Sequence, residues 1–530
     1  MVETSRYKVL VSDPVSEEGV SLLREIADVD ERPGLSPQEL VKIIGQYDAL
    51  LVRSGTQVTA DVISAGKRLK VIGRAGVGVD NIDVAKATEG GILVVNAPEG
   101  NTISAAEHAM ALMLALARNI PRASASVREN LWQRNKFLGV ELYKKKLGII
   151  GLGRIGSEVA KRARSFGMQI LAYDPYISTE QVEKLGVTTA TLDEIYEQAD
   201  FITLHVPKTS STNHMLGKAE LAKMKEGVRI INCARGGLID EKSLYEAIIG
   251  GKVGGAALDV FEGEPPKDNP LLQLDKVIGT PHLGASTQEA QVNVAVQVAE
   301  QIAHVFRGEP VHMAVNAPVL PPEVMAEVGS FIPLMHTMGS FHMQVFNERV
   351  ERIEVIYSGE IASYPVTPLT TALLIGFLRF ILKSNVNFVN APLLAEQRGI
   401  KVNEMSSKSA AFFHNLITVK VFTGKKSYTI AGTLFEGNDI RIVQIGEYRI
   451  EVIPSRYMLV SRYYDKPGII GKVGTILGKN SINIGNMQVG RRKDKGEAIM
   501  VLQVDHPVSE SLIKEIEESG GIITTRFVEL

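Results

Sequence analysis

Residues 147–156 read LGIIGLGRIG, and this stretch decides the fold class of the chain. A β-branched apolar run ends at Gly151, and Gly153 and Gly156 complete the spacing GxGxxG directly before a helical pattern. In that context the first glycine permits a tight turn, the second lets the backbone approach a pyrophosphate, and the third lets helix and strand lie close together. The sequence therefore predicts a dinucleotide-binding α/β unit around this loop.

The end of the next predicted strand indicates which dinucleotide binds. Asp174 lies 18 positions after Gly156, where a carboxylate would accept hydrogen bonds from ribose hydroxyls. A 2′-phosphate would be repelled there, and Pro175 and Tyr176 provide no arginine to receive one. We therefore expect NAD rather than NADP as the cofactor.

Strands and helices alternate on both sides of the loop. The apolar runs KVLVSD, ALLVRSG, KVIGRAG and ILVVNAP precede it, and the alternation continues after it as far as KVIGTPHLG. This pattern is typical of parallel sheets covered by helices on both faces, so we predict two doubly wound, Rossmann-like α/β domains. The second, NAD-binding domain is predicted at residues 99–285. The amphipathic segment after it is expected to pack back onto the first, substrate-binding domain, which then comprises residues 1–98 and 286–315.

A long helix between the two units is predicted to begin near Ser104. Ser104 and Glu107 have the spacing of a capping box ahead of the apolar run AMALMLALAR, and Pro121 follows the end of that run. We expect this helix to form a hinge or a dimer surface.

The second half of the chain predicts two further domains. VNAPVLPP at residues 315–322 reads as a linker, and residues 316–454 mix strands and helices without a catalytic cluster, which indicates an intervening α+β domain. Residues 455–530 give the order βαββαβ, which is typical of a ferredoxin-like domain. A compact terminal domain on an enzyme-like body suggests regulation.

The composition excludes several classes of protein. Of 530 residues, 45% are hydrophobic, the formal net charge is −2, and Cys233 is the only cysteine. This charge balance gives no basic field for nucleic acid, and one cysteine cannot form a disulfide within the chain. The longest apolar stretch, residues 372–382, is too short for a bilayer and contains Arg379. We expect a cytoplasmic protein with small-molecule partners, no nucleic-acid or membrane partner, and no metal site.

Three residues downstream of the glycine loop predict the chemistry. Arg235, Glu264 and His282 follow one another along the chain, each near a predicted strand end. Hydride transfer from an alcohol carbon needs a base of near-neutral pKa for the hydroxyl proton, which suits His282, and a carboxylate such as Glu264 can fix its tautomer. Arg235 can hold a substrate carboxylate through two parallel hydrogen bonds. Asp259 is the competing residue for orienting His282, although its strand-end position also suits a contact to the nicotinamide amide.

Two more arginines end predicted strands of the first unit. Arg53 in LLVRSGTQV and Arg74 in VIGRAGVGVDN would face the cleft toward the cofactor domain. Since Arg235 already serves one carboxylate, two further cations suggest a doubly anionic substrate. Ordinary surface solvation is the alternative explanation.

The motifs RSGT, RAGVGVDN, NAPEGNTISAAEH, GLGRIG, INCARGGLID, ALDVFEGEPP and TPHLGAST, in this order, resemble those of the D-isomer-specific 2-hydroxyacid dehydrogenases. The resemblance implies that His282 shuttles the proton, that Glu264 holds His282, and that Arg235 binds the substrate. It implies cofactor contacts at Gly151, Gly153, Arg154, Ile155, Gly156, Asp174, Val206, Cys233, Ala234, Asp259, His282, Gly284 and Ala285. It implies substrate contacts at Arg53, Ser54, Gly55, Arg74, Gly76, Arg134 and Arg235, and in relatives the stretch around Arg134 reaches into a neighbouring subunit's site.

The chain is similar to the long form of that family, which adds an intervening domain and a terminal ACT domain. YYDKPGIIGKVG and INIGNM resemble the ACT signature, and Tyr463, Asp465 and Asn483 match positions that bind serine in related enzymes. Other relatives have His and Asn at the first two positions, so a purely structural terminal dimer stays an alternative. The two candidate interfaces, the long helix and the terminal domain, suggest a homotetramer.

The resemblance implies oxidation of 3-phospho-D-glycerate to 3-phosphooxypyruvate with NAD. This reaction is the first step of phosphorylated L-serine biosynthesis, with feedback by serine through the ACT domain. The same chemistry on another 2-hydroxyacid, such as glyoxylate or hydroxypyruvate reduction, is one alternative. A dinucleotide-sensing corepressor or scaffold is the other, since folds of this kind also serve that purpose.

Overall fold

The computed structural model describes residues 6–382, 385–410, 412–424, 426–492 and 496–530. Within this part of the chain the strands form four sheets, of five, seven, six and four strands. Residues 1–5, with which the predicted first domain begins, lie outside the described part. So do residues 383–384, 411, 425 and 493–495 of the two later predicted domains.

The first sheet is parallel and positions the two upstream arginines. Its elements are β1 (Tyr7–Val11), α1 (Glu17–Ile26), β2 (Ala27–Glu31), α2 (Pro37–Ile43), a 3₁₀ turn (Ile44–Gln46), β3 (Ala49–Val52), α3 (Ala60–Ala65), β4 (Val71–Arg74), α4 (Val84–Glu89) and β5 (Leu93–Asn96). The strand order is β2-β1-β3-β4-β5. Because β3 and β4 are parallel neighbours, Arg53 and Arg74 lie at the same edge of the sheet.

The second sheet is also parallel and carries the glycine loop. Its elements are α5 (Thr102–Arg118), α6 (Ile120–Arg128), a 3₁₀ turn (Arg134–Phe137), β6 (Lys146–Ile150), α7 (Arg154–Ser165), β7 (Gln169–Tyr173), α8 (Thr179–Leu185), β8 (Thr188–Thr189), α9 (Leu192–Gln198), β9 (Phe201–Leu204), α10 (Lys218–Lys223), β10 (Val228–Asn232), α11 (Glu241–Ile249), β11 (Val253–Leu258), a 3₁₀ turn (Pro270–Gln273), β12 (Val277–Gly279) and α12 (Gln288–Arg307). The strand order β12-β11-β10-β9-β6-β7-β8 reverses direction at β6, where such sheets bind dinucleotides.

α12 leaves the second sheet and packs against α1, β4 and β5 of the first. The approach to α1 is close, since a Cβ added to Gly19 would lie 2.8 Å from Ala295. After α12 the main chain pairs with β5, where the Val315 amide donates to the Val94 carbonyl at 2.8 Å. The first unit is therefore built from two separate stretches of sequence.

The start of the long helix differs from the prediction. α5 begins at Thr102 with Asn101 as its N-cap, and the Asn101 side chain makes no capping hydrogen bond. The capping box of Ser104 and Glu107 is therefore wrong. Ser104 lies in the first turn of α5, and its hydroxyl donates to the carbonyl oxygen of Gly284 at 2.8 Å, a partner that local spacing cannot reveal.

The third sheet is mixed and belongs to the α+β unit. Its elements are α13 (Pro322–Val328), α14 (Phe331–Phe346), β13 (Arg352–Gly359), a 3₁₀ turn (Glu360–Ser363), α15 (Thr367–Leu382), α16 (Ala391–Gln397), β14 (Lys401–Ser407), β15 (Asn415–Thr423), β16 (Lys426–Phe435), a 3₁₀ turn (Glu436–Asn438), β17 (Asp439–Ile445) and β18 (Tyr448–Val452). The strand order is β14-β13-β15-β16-β17-β18, with only the β13–β14 pair parallel. α14 packs on α15 and on β16.

The fourth sheet has the predicted ferredoxin-like topology. Its elements are β19 (Tyr457–Tyr464), α17 (Ile469–Lys479), β20 (Ile484–Arg491), β21 (Glu497–Val504), α18 (Glu510–Glu518) and β22 (Ile522–Glu529), and the antiparallel strand order is β20-β21-β19-β22. The predicted α/β fold class is confirmed.

The two faces of this fourth sheet are covered differently. α17 and α18 cover one face, which contributes Leu459 and Met500 to the terminal domain's own core. The opposite face contributes Val460 and Val501 to the core of the α+β unit. Gln344 of α14 also exchanges two hydrogen bonds with the main chain of Glu529, at 2.8 and 2.9 Å. The terminal domain is thus docked onto the α+β unit through one whole face.

Within the described residues, no helix combines the length and the apolar character that a membrane span requires.

Candidate active site

The glycine loop leaves space where a pyrophosphate would lie. Gly151 follows β6 with φ of 95°, and an added Cβ there would lie 2.5 Å from the carbonyl oxygen of His205. A Cβ added to Gly156 would lie 2.0 Å from the carbonyl oxygen of Gly151, so α7 can approach the loop only with glycine at that position. Around Gly153, by contrast, nothing lies within 4 Å of the Cβ position. This open space at the N-terminus of α7 fits a phosphate group.

Asp174 is tied to the same loop. Its carboxylate accepts hydrogen bonds from the Leu152 amide at 2.8 Å and from the Tyr176 amide at 2.9 Å. A carboxylate has about four acceptor positions, so two remain for ribose hydroxyls. Arg154, the first residue of α7, pairs with Glu99 at 3.2 Å, which links the loop to the segment between the two sheets.

Four other predicted cofactor residues also lie in the second unit. Ile155 packs against the core of the second unit. Val206 follows β9, and one of its methyl groups would lie 2.8 Å from a Cβ on Gly151. Cys233 and Ala234 follow β10. Burial raises the pKa of the Cys233 thiol, and the charge of Asp259 raises it further, so the thiol stays protonated near neutral pH.

His282 and Glu264 form a direct pair. Nδ1 of His282 lies 2.8 Å from Oε2 of Glu264, while Oε1 of Glu264 accepts a hydrogen bond from the Phe261 amide at 3.1 Å. The carboxylate therefore selects the tautomer with the proton on Nδ1 and leaves Nε2 free to accept a proton. The side chain of His282 is 52% exposed, so Nε2 can reach a ligand in the cleft.

Asp259 has a different function from orienting the imidazole. Its side chain is fully buried, and it accepts hydrogen bonds from the amides of Leu283 and Gly284, each at 2.8 Å, and from the Thr280 hydroxyl at 2.6 Å. The fourth donor is Nε2 of His108, at 3.1 Å. Burial opposes ionisation, but these hydrogen bonds outweigh it and hold the pKa of Asp259 below its ordinary value.

Asp259 therefore anchors the turn on which His282 lies. The backbone of His282 has φ of 55°, in the left-handed region that only glycine adopts without cost. Its amide donates to the Asp259 carbonyl at 2.9 Å. Contacts from Asp259, Gly284 and Ala285 to the cofactor stay predictions.

Arg235 is positioned by a turn after β10 that the sequence analysis did not identify. The Asn232 side chain donates to the Arg235 carbonyl at 2.9 Å and accepts from the Ala234 amide at 3.0 Å. The guanidinium of Arg235 reaches across to the first unit, where its Nε lies 3.5 Å from Oδ2 of Asp80. A Cβ added to Gly78 would lie 2.3 Å from Nη2 of Arg235, so the two units meet closely at this point.

Three arginines from two different sheets influence one another in the cleft. Burial lowers the pKa of Arg74, and the charges of Arg235 and Arg53 lower it further, while Asp80 and Asp13 oppose this effect. Within the described residues the buried Nε of Arg74 has no hydrogen-bond partner. The Arg74 guanidinium lies over Gly76, where an added Cβ would be 2.0 Å from Nη1. This concentration of positive charge, with an unpaired buried donor, suits an anionic ligand.

The loop after β3 is shaped by Asp13, which the sequence analysis missed. Its carboxylate accepts from the Arg53 amide at 2.6 Å, the Thr56 amide at 3.1 Å and the Thr56 hydroxyl at 2.9 Å. Ser54 and Gly55 lie exposed at the tip of this loop. Asp13 follows β1, a direct neighbour of β3 in the sheet, so its position at a strand end was the available signal.

Arg134 lies apart from these groups. It is exposed in the 3₁₀ turn after α6. Apolar side chains are exposed around it, including Trp132 at 79% and Leu138 at 90%. This surface belongs to the second unit and is available to another protein chain.

The three candidate effector residues do not meet within one chain. Tyr463 pairs with Ala498 on β21, whereas Asn483 directly precedes Ile484, which pairs with Val504 at the other end of that strand. Six positions along a strand correspond to about 20 Å. Asn483 and Tyr463 therefore lie near opposite ends of the sheet within one chain.

The immediate partners of these residues differ. Asp465 pairs with Arg491 at 3.3 Å, and Asn483 donates to Asp505 at 2.9 Å. The hydroxyl of Tyr463 is buried and has no partner among the described residues, and burial raises its pKa.

Three family models match the chain. The NAD-binding domain of the D-isomer specific 2-hydroxyacid dehydrogenases matches residues 110–284. The intervening domain of D-3-phosphoglycerate dehydrogenase matches residues 327–446, and the ACT domain matches residues 457–521. The last two matches fall on the third and fourth sheets.

Similar proteins cover the whole chain. A D-3-phosphoglycerate dehydrogenase of Synechocystis is 48% identical over 524 residues, which are 99% of this chain and 95% of the relative. One of Methanocaldococcus jannaschii is 49% identical over 524 residues, with 99% and 100% covered. Among solved structures, D-lactate dehydrogenase of Aquifex aeolicus complexed with NAD and lactic acid is 30% identical with a TM-score of 0.52, covering 57% of this chain and 96% of that one.

Proposed function

Because this chain belongs to the D-3-phosphoglycerate dehydrogenases, we propose that the cleft between its first two sheets is the site at which 3-phospho-D-glycerate is oxidised. The protein is an NAD-dependent 2-hydroxyacid dehydrogenase with a small-molecule substrate. Its reaction converts 3-phospho-D-glycerate to 3-phosphooxypyruvate and is the first step of phosphorylated L-serine biosynthesis.

The observation that carries the site assignment is the His282–Glu264 pair at the rim of the cleft. Nε2 of His282 takes the proton of the C2 hydroxyl, and Glu264 stabilises the imidazolium that forms. Arg235 holds the substrate carboxylate and stabilises negative charge on the oxygen as the carbonyl forms. NAD, when bound, accepts the hydride from C2.

The chain's own residues hold the cofactor in this proposal. Gly151, Gly153 and Gly156 leave room for the pyrophosphate at the N-terminus of α7, and Asp174 accepts from the ribose. The turn from His282 to Ala285 borders the part of the cofactor site that takes the nicotinamide ring. Exclusion of water follows when the two units close around their connection near Ala97 to Asn101.

The positive cluster supports the phosphorylated substrate. Arg53 and Arg74 take the phosphate, together with the main-chain amides of Ser54 and Gly55, which are both exposed residues. Arg235 takes the carboxylate at the other end of the same small molecule. A substrate with two anionic ends thus neutralises all three guanidinium groups.

The test is the variant His282→Ala, with Glu264→Gln beside it. General acid–base catalysis contributes about 10²- to 10⁴-fold, so His282→Ala should lower kcat by that order while NADH still binds with near-normal affinity. Glu264→Gln keeps the size of the side chain and removes its charge, so a smaller loss is expected. Near-normal turnover in His282→Ala would overturn the assignment.

The terminal domain belongs to the ACT family, which suggests an amino-acid effector. We propose that the effector is L-serine, bound between two copies of the chain, with Tyr463 and Asp465 from one and Asn483 from the other. The separation of these residues within one chain supports this arrangement. Tyr463→Phe should raise the serine concentration for half-inhibition and leave kcat without serine unchanged; equal responses in both enzymes would argue against it.

We propose a homotetramer that combines two surfaces. One is the exposed apolar surface around Trp132, through which Arg134 reaches a neighbouring site, and the other is the ACT pair. Light scattering should give the mass of four chains, and Trp132→Glu should reduce it to two. A cytoplasmic location is part of the proposal, since the only cysteine forms no disulfide within the chain.

A further inference from the structure

We propose that His108 is a positioning residue for the dehydrogenase reaction, because it holds the Asp259 carboxylate and through it the turn that carries His282. The inference rests on the assignment of His282 as the base. His108 lies on α5, outside the glycine loop and outside the strand ends that carry the predicted catalytic groups.

α5 contacts the catalytic turn at two points one helical turn apart. Nε2 of His108 lies 3.1 Å from Oδ1 of Asp259 and 3.3 Å from the Thr280 hydroxyl. Four residues earlier, the Ser104 hydroxyl donates to the carbonyl oxygen of Gly284 at 2.8 Å. Residues spaced by four lie on one face of a helix, so a single face of α5 holds both ends of the turn.

The direction of each hydrogen bond follows from chemistry. Asp259 is an ionised acceptor with four donors, and the Thr280 hydroxyl donates to it at 2.6 Å. His108 must therefore donate from Nε2, which makes its interaction with the buried carboxylate charge-assisted. The other two donors are the amides of Leu283 and Gly284, which directly follow His282.

His282 itself is in a conformation that needs such support. Its φ of 55° lies in the left-handed region, which is unfavourable for a residue with a Cβ. Such conformations persist where neighbouring hydrogen bonds determine the backbone, as the two amides bound to Asp259 do here. Without the proton from His108, Asp259 would keep three donors and a less compensated buried charge, and the turn could relax away from the geometry in which Nε2 of His282 faces the cleft.

Asp259 and Glu264 thus hold different parts of the catalytic turn. Glu264 bonds to the ring of His282, whereas Asp259 bonds to the backbone around it. Ser104 and His108 connect that backbone to α5, which begins directly after the segment between the two sheets. The position of the base is thereby tied to the helix nearest the hinge.

The experiment compares His108→Leu with His108→Gln in the full-length enzyme, with NAD and 3-phospho-D-glycerate. Leucine removes the donor, and glutamine places an amide donor near the former Nε2. A hydrogen bond to a charged group corresponds to about 10- to 150-fold, so kcat of His108→Leu should fall by that order while KM for NAD changes less than about threefold. His108→Gln should recover most of the loss. His304→Gln, a partly exposed histidine on α12, is the matched control and should behave as wild type.

A double-mutant cycle separates positioning from a general structural role. If His108 acts through His282, the double variant His108→Leu/His282→Ala should be no slower than His282→Ala alone. Multiplying losses would overturn the inference. Hydrogen exchange of the peptide covering residues 280–286 gives a second readout, since His108→Leu should lose protection there and His304→Gln should not.

The outcomes distinguish the role of His282 as the base from the role of His108 as a positioning residue. Near-normal kcat in His282→Ala refutes the proposed base, whatever His108 does. A strong loss in His282→Ala with a normal His108→Leu refutes only the positioning residue. If His108→Leu does not fold, Ser104→Ala tests the same face of α5 by removing one hydroxyl. This variant should lower kcat about 3- to 10-fold in the wild-type background and should cause no further loss in the His282→Ala background. A normal kcat in Ser104→Ala would refute the inference.

Discussion

Replacing Arg74 by methionine should stabilise the enzyme without substrate and lower its kcat/KM for 3-phospho-D-glycerate. Methionine keeps the apolar stem and removes the guanidinium. The Nε of this guanidinium is buried without a hydrogen-bond partner among the described residues, and burial together with the charges of Arg235 and Arg53 lowers the pKa of Arg74. An unsatisfied buried donor costs about 1–3 kcal/mol, which the variant regains.

The variant is expected to be more stable than the wild type without substrate and to be less active with substrate. A gain of about 1 kcal/mol corresponds to roughly 3 °C in Tm for a domain of this size. With substrate, loss of a charge-assisted contact of about 1.5–3 kcal/mol should lower kcat/KM by roughly 10- to 150-fold. Calorimetry with and without 3-phospho-D-glycerate measures Tm in both states, and the ligand should raise Tm of the wild type more than that of the variant. Steady-state kinetics measure the loss in kcat/KM.

The control is Arg68→Met in the same domain. Arg68 pairs at 2.9 Å with Asp48, which is buried, so its loss leaves a buried carboxylate without its cation and should lower Tm. If Arg74→Met also lowers Tm in the empty enzyme and leaves kcat/KM unchanged, Arg74 is a structural cation and the reasoning about the cleft is wrong.

Three further predictions test other parts of the molecule. Arg53→Ala should reduce turnover strongly with 3-phospho-D-glycerate and little with glyoxylate; equal losses measured on both substrates would remove Arg53 from phosphate recognition. Gly153→Ala should fold normally, because its Cβ would meet nothing within 4 Å, yet raise KM for NAD at least about tenfold, whereas Gly156→Ala should fail to fold because its Cβ would lie 2.0 Å from a carbonyl oxygen. Hydrogen bonds from Tyr428, Thr423 and Lys426 lower the pKa of Glu348 to about 2, so its stabilisation is complete above the ordinary value of 4.5 and is lost as the pH falls toward about 2. Tm measured against pH should therefore differ between wild type and Glu348→Gln above about pH 4.5 and converge near pH 2.

The parts of the fold that the sequence predicts are those with an unambiguous local pattern. The strands around the glycine loop are continuous apolar runs, because they are buried on both faces of a parallel sheet. β2 (Ala27–Glu31) reads ADVDE, with only Ala27 buried, and becomes a strand by pairing at an edge with β1. Its identity as a strand depends on its neighbour and not on its own composition.

Distant partners are the second feature that local patterns do not predict. The spacing of Ser104 and Glu107 predicts a capping box, but the Ser104 hydroxyl donates to the carbonyl oxygen of Gly284, 180 positions away. The second face of the ACT sheet is apolar, and only the structure shows that it is covered by the α+β unit.

The residues of the candidate site also differ in whether a local pattern predicts their roles. Groups that perform chemistry on a ligand are restricted to few residue types, so Arg235, Glu264 and His282 can be selected from their kind and position. Asp13 and Asn232 bond to backbone groups of this chain, and His108 bonds to the side chains of Asp259 and Thr280. Many sequences could provide such hydrogen bonds. Their roles follow from distances, as with the 2.6 Å contact from the Arg53 amide to Asp13.

The charge of the cleft offers a physical reason for substrate selectivity. Asp13 is occupied by main-chain amides, and Asp80 is 81% exposed and lies 3.5 Å from Arg235. These carboxylates offset the charges around Arg74 only in part, and its buried Nε has no acceptor among the described residues. A 2-hydroxyacid with one carboxylate would satisfy Arg235 and leave the other cations unpaired as the closing cleft loses water. Leaving such groups unpaired costs more than a missing apolar contact, and this penalty allows discrimination of about 10⁴-fold or more in sites built from hydrogen-bonding groups. Selectivity for a doubly anionic substrate therefore depends on the cost of closing over an unneutralised arginine as well as on the attraction of a phosphate.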